Sequence, residues 1–217
     1  MLNQLTLVNN NLRYYIEKNI FPQYSKNEKA HGIEHVHYVI RRSFELIEQN
    51  NLKVDNNMVY VIAAYHDIGH HIDSKKHEIV SANIMWKDEN LRNFFTDEEL
   101  IKIKEAIEDH RASLSYEPRT IYGKIVSSAD RNNTIEQCIE RSYYYGKKLK
   151  PNATDKELYK RAFEHLKLKF GVDGYAKFYL QDKEYEKFLE DIREVLKNEE
   201  QFCKMQKEYI KKLESRE

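Results

Sequence analysis

Three prolines, six glycines and two cysteines are few for 217 residues. A β-rich fold needs turn formers repeatedly, so this scarcity argues against one and fits an almost entirely helical chain. Cys138 and Cys203 lie far apart and match no metal or redox spacing. They read as small apolar packing residues, and without a disulfide framework the expected compartment is the cytoplasm. No stretch approaches the roughly 20 apolar residues of a membrane span. The opening MLNQLTLVNNNLRYY has no basic segment leading into an apolar run, so it does not read as a secretory signal. Net charge is missing as well, because 36 Lys and Arg balance 36 Asp and Glu. Proteins that grip nucleic acid usually carry a basic excess, so no nucleic-acid partner is expected.

Apolar residues make up 41% of the chain, enough for a real core, and the 33% that are charged suit well-solvated helical surfaces. Helical spacing runs through Leu5, Val8, Leu12, Ile16 and Ile20, and Phe21-Pro22 ends it. A second helix is expected from Gly32, and a third over about 55–68. That third helix is apolar on most sides, which marks it as central and buried. Ser74 is the expected N-cap of a fourth helix, and Thr96 to Glu99 reads as a capping box opening a fifth that runs to His110. A sixth helix begins near Thr120 and carries Asp130, with room to continue past Ile139. Thr154 to Glu157 is a second capping box, and a long polar helix is expected over about 182–213.

Eight of the nine histidines fall between positions 31 and 110: His31, His35, His37, His66, His70, His71, His77 and His110. His165, set among Lys and Glu, reads as a surface residue, and His37 and His71 as solvated. Imidazole with carboxylate suits a divalent cation that polarises oxygen, and the cluster holds no thiolate for a structural zinc knot. The densest signal is Tyr65-His66-Asp67-Ile68-Gly69, where an apolar helical run meets two potential ligands. Neighbours on a regular helix point about 100° apart, but a helix end lets one ion sit between them. Gly69 stands where a helix terminator is expected.

Three segments together resemble the HD-domain superfamily of metal-dependent phosphohydrolases: Gly32-Ile33-Glu34-His35-Val36-His37-Tyr38-Val39, the Tyr65 to Gly69 segment, and Ser128-Ala129-Asp130-Arg131. The resemblance covers about residues 30–135. It implies an all-α, HD-domain-like helical bundle with the metal between helices. His35, His66, Asp67 and Asp130 would be the ligands. We read the whole chain, 1–217, as a single domain with a core over about 30–135 and a helical C-terminal extension over about 146–217. Two positions depart from the family pattern. Tyr38 stands where many members carry Arg, and His70 where many carry Lys.

The activity implied is hydrolysis of a phosphoester or phosphoanhydride in a small metabolite, with a nucleotide as first candidate. A divalent ion lowers the pKa of bound water from about 15.7 toward about 7, so that this water attacks phosphorus. Asp67, His77 and His110 are the candidate catalytic residues. His77 and His110 either donate protons, the role slightly favoured on sequence, or hold a second metal with Asp67 bridging. His31, His70, Lys124 and Arg131 are candidate substrate-binding residues, with Arg111 a further cation. Mn, Fe, Ni, Zn and Mg are not distinguished. A homo-oligomer is left open and no membrane partner is expected. Rival readings are a di-iron oxygenase, a nucleotide-sensing metal module without turnover, and a helical protein with incidental histidines.

Overall fold

Eight consecutive buried side chains, Met58 through Tyr65, mark the helix around which the first part of the chain folds. The computed structural model describes residues 7–131 and 134–215, and every regular element among them is helical. The α-helices are α1 (Asn10–Asn19), α2 (Ile33–Gln49), α3 (Asn56–Tyr65), α4 (His77–Trp86), α5 (Asp97–Glu108), α6 (Ile121–Ala129), α7 (Ile135–Leu149), α8 (Asp155–Phe170), α9 (Lys183–Val195) and α10 (Glu199–Glu214), with short 3-10 turns at Phe21–Lys26, Lys29–His31 and Glu89–Asn93. Leu5 lies outside the described residues. None of the described helices is long and apolar enough to cross a membrane.

The described chain forms two compact units. The first holds residues 7–131 and takes back Phe178–Gln181; the second holds 134–177 and 182–215. Their boundary follows Asp130 and Arg131, earlier than the position near 146 where the sequence turns to plain helical packing. In the first unit α3 packs against α1, α2, α4, α5 and α6, which explains why no side of it is polar. Each large aliphatic side chain withdrawn from water there contributes about 1.5–3 kcal/mol. The short returning segment is pinned by side-chain bonds. The Asn50 amide donates to the Gln181 carbonyl at 2.9 Å and accepts from its N–H at 3.0 Å. The Tyr179 N–H donates to Ser128 Oγ at 3.2 Å. In the second unit α8 packs against α7, α9 and α10.

Both capping boxes form as the sequence predicts, at Thr96 with Glu99 and at Thr154 with Glu157. Several helix ends differ from expectation, each for a local reason. α3 stops at Tyr65, and residues 66–72 form turns. α4 starts at His77, not after Ser74, because the Asp73 carboxylate accepts from the Lys75 and Lys76 N–H groups and holds that stretch as a turn. α5 ends at Glu108, which leaves His110 just beyond the helix. α6 does not continue past Asp130; Thr134 caps a new helix by accepting from the Gln137 N–H. The polar tail is two helices, with Asn198 capping α10 through the Gln201 N–H.

Candidate metal centre

Five helices bring their ends to the surroundings of one buried carboxylate. α2 carries His35 one turn from its start, the turn after α3 carries His66 and Asp67, and α4 opens on His77. His110 follows the last residue of α5 by two positions, and Asp130 caps α6. Helix ends suit this task, since their backbones diverge and let side chains from several elements meet.

Asp67 is 2% exposed, and its two oxygens face different partners. Oδ2 lies 2.8 Å from His31 Nδ1, 3.4 Å from His66 Nε2 and 3.6 Å from His35 Nε2. Oδ1 lies 3.3 Å from His77 Nε2 and 3.6 Å from His110 Nε2, and accepts no hydrogen bond from the described residues. His35 Nε2 closes the first side at 3.0 Å from Asp130 Oδ1 and 3.3 Å from His66 Nε2. On the second side, His77 Nε2 and His110 Nε2 are 3.1 Å apart. Three groups result whose donor atoms lie within 4.8 Å of one another: His31, His35 and Asp67; His35, His66 and Asp130; and Asp67, His77 and His110.

The far side of each ring fixes its tautomer. His66 Nδ1 is 2.8 Å from the Ala63 carbonyl, His77 Nδ1 3.1 Å from that of Ser74, and His110 Nδ1 2.6 Å from that of Ile107. A carbonyl offers no hydrogen, so each Nδ1 carries one and donates it, which turns the Nε2 lone pair toward Asp67. The 3.1 Å approach of His77 Nε2 to His110 Nε2 then sets two lone pairs face to face. Only a cation, whether a proton or a metal ion, makes that approach favourable. A buried carboxylate oxygen without a hydrogen bond stands directly beside them. The donor set therefore fits a divalent ion.

Ionisation follows from burial and these neighbours. For Asp67, burial raises the pKa, but the His66 charge, the facing His110 imidazole and the hydrogen bond from His31 outweigh it and hold the carboxyl well below the usual range. Burial lowers His66, but the adjacent Asp67 carboxylate overrides this and raises it to about 9. Burial lowers His35 despite Asp130 beside it. Burial and His110 lower His77 to about 4, and burial with His31 lowers His70 to about 4. Asp130 is held far below its ordinary value, mainly by His35 against the cost of burial.

His31 and His70 lie at the edge of this cluster with their rings stacked at 3.8 Å and 17°. The remaining sequence candidates are engaged elsewhere. Lys124 pairs with Glu117 at 2.5 Å. Arg131 is buried and donates to Ser127 Oγ at 2.9 Å, back along α6. Arg111 donates to the Lys75 carbonyl at 2.6 Å and to Glu78 at 3.1 Å, tying the loop after α5 to the start of α4. His37 is exposed and packs edge-on against Phe21, and His165 lies half-buried on α8. Tyr38, where the family pattern has Arg, donates its hydroxyl to the Arg131 carbonyl at 3.4 Å.

Gly69 is needed for a different reason than helix termination. No glycine here adopts a positive φ. A Cβ on Gly69 would stand 2.7 Å from Val80 Cγ1 and 2.9 Å from the Ser81 nitrogen, so the residue allows the turn to lie against α4. Sequence reading also passes over Asn27, whose amide bonds to both the His31 and the Asp67 carbonyls.

An all-helical unit whose helix ends direct imidazoles and carboxylates at one buried aspartate offers a donor set compatible with a divalent cation. Residues 32–133 match the HD domain family model, and this stretch of the chain is an HD domain. No curated protein and no solved structure matches the chain.

Proposed function

We propose that the chain is a metal-dependent phosphohydrolase whose HD domain holds two divalent cations bridged by Asp67. It cleaves a phosphoester or phosphoanhydride in a small metabolite, with a nucleotide as first candidate. The observation that carries this reading is the Asp67 carboxylate, which has one oxygen toward His35 and His66 and a second, unbonded oxygen toward His77 and His110. On this reading His35, His66, Asp67 and Asp130 hold one cation, and Asp67, His77 and His110 the other. Ligation now stands ahead of proton donation for His77 and His110, because their hydrogens are committed to carbonyls on the far side.

A divalent cation there supplies Lewis acidity, polarising a phosphoryl oxygen and lowering the pKa of water toward about 7. The protein supplies charge and orientation. Asp67 and Asp130 provide the anionic donors, and the backbone carbonyls of Ala63, Ser74 and Ile107 keep the rings from turning. His31 donates Nδ1–H to Asp67, which fixes its ring so that Nε2, when it also carries a hydrogen, can donate to a phosphate oxygen, with His70 stacked behind it. Such positioning and charge complementarity carry most of phosphoryl-transfer catalysis. Lys124 and Arg131 are left out of the phosphate-holding set because Glu117 and Ser127 engage them.

Metal analysis of the purified chain, paired with a metal-supplemented screen of phosphatase, phosphodiesterase and nucleotide pyrophosphatase substrates, tests this. Near two equivalents per chain are expected, falling to one in His77→Ala and below one in Asp67→Ala, with hydrolysis lost in the latter. Parent-like hydrolysis by Asp67→Ala would overturn the mechanism. Visible absorption with oxygen-dependent turnover would assign the centre to di-iron oxygenase chemistry, and tight nucleotide binding without turnover to a sensing module.

A further inference from the structure

Asn27 lies before the matched HD region, between the short 3-10 turns Phe21–Lys26 and Lys29–His31. Its side-chain amide is fully committed. Nδ2 donates to the His31 carbonyl and to the Asp67 carbonyl, each at 2.9 Å. Oδ1 accepts from the His71 backbone N–H at 3.1 Å and lies 3.1 Å from His71 Nδ1. An amide has two hydrogens to give and one oxygen to receive, and all are used here. The Asp67 carbonyl and His71 N–H belong to the turn after α3, outside any helical ladder. One side chain thus fastens the segment bearing His31 to the segment bearing Asp67 and His70. Those are the residues whose side chains then meet, His31 Nδ1 at 2.8 Å from Asp67 Oδ2 and the His31 ring at 3.8 Å from His70.

We propose that Asn27 is a positioning residue of the metal centre: its amide sets the spacing of the His31 and Asp67 backbones and so holds the Asp67 carboxylate between the two histidine pairs. Its effect on His31 stands on the protein's own contacts; its effect on metal rests on the two-cation reading. Groups that orient metal ligands from behind alter metal affinity about 10–100-fold when removed. Leucine shares the branching and heavy-atom count of asparagine and forms no hydrogen bond, so Asn27→Leu removes the clamp and keeps the shape. Asn27→Ser is a second, smaller variant.

The test uses the full chain in two states. In chelator-treated protein, imidazole 15N shifts should give the parent His31 as the Nδ1-protonated tautomer, with that preference lost in Asn27→Leu. In Mn2+ titrations the variant should bind about 10–100-fold more weakly. Its metal-free unfolding midpoint should stay within a few degrees of the parent. In a His31→Ala background the same substitution should cost clearly less, since part of its effect passes through His31. Parent-like His31 tautomer and Mn2+ affinity in both Asn27 variants would overturn the proposal, as would loss of folding in both, which would make Asn27 a plain structural staple. A parent chain that binds no Mn2+ but loses the His31 tautomer on Asn27→Leu would leave the positioning role standing and defeat the two-cation reading alone.

Discussion

Asp67 and His66 compete for charge in a way that a titration can read. With protons as the only cations, the Asp67 carboxylate opposes the cost of burial and holds His66 protonated up to about 9. A metal ion needs the same lone pair, so binding at neutral pH must expel that proton. Calorimetric titrations at pH 7 in buffers of different ionisation enthalpy should therefore show roughly one proton released on filling the His35, His66 and Asp130 group. No buffer dependence would mean that His66 is already neutral. His70 gives the opposite sign. Burial and His31 lower it from 6.5 to about 4, so the unfolded chain takes up the proton first. Its stabilising contribution is complete above pH 6.5 and is lost as pH falls toward 4. Thermal unfolding of chelated protein should show a midpoint that declines over this window, and less steeply in His70→Gln. His35, His66, Asp67 and Asp130 were legible in the sequence because each sits in a short local pattern. Asn27 was not, because its partner Asp67 lies 40 positions away and leaves no local trace.

At the scale of elements, the close approach of the turn after α3 to α4 decides whether His77 reaches Asp67. The contact is made at Gly69, whose N–H donates to Ser81 Oγ at 2.9 Å and whose missing Cβ leaves room for Val80. Gly69→Ala should cost about 1–3 kcal/mol, as overpacked sites do. It should also weaken the cation held by His77 and His110 more than the other, since α4 is the element pushed away. Unfolding midpoint and metal stoichiometry check both parts, and an alanine variant with parent stability and two full equivalents would contradict them. Thr96→Ala is the control far from the chemistry. It removes the acceptor for the Glu99 N–H and should cost about 1 kcal/mol with stoichiometry unchanged. Capping boxes could be read from sequence because both members are local. The starts of α4 and α7 and the break before α10 carry caps just as local, but lone cap residues are common in the chain and do not announce themselves. There Asp73, Thr134 and Asn198 bond to nearby N–H groups, and ordinary helical periodicity runs on either side of them.

For the molecule as a whole, the three groups suited to a metal lie between His31 and Asp130, inside the first compact unit. So does Trp86, the single tryptophan of the chain, at the end of the helix that His77 opens. Its fluorescence therefore reports the unit that a cation would stabilise, while far-UV circular dichroism sums helices from both. A ligand that binds only the folded state stabilises it by about 2.7 kcal/mol at 100 times its dissociation constant. For a unit of this size that corresponds to a rise on the order of 10 °C in the midpoint. Saturating divalent cation should move the Trp86 transition upward by this amount. The dichroism transition should broaden or split, because α7 to α10 contribute much of the helical signal and none of these metal groups. A Trp86 midpoint that ignores the cation would remove the metal from the first unit. Equal shifts in both probes would show that the two units melt as one, a coupling that no pattern of apolar residues along the chain announces.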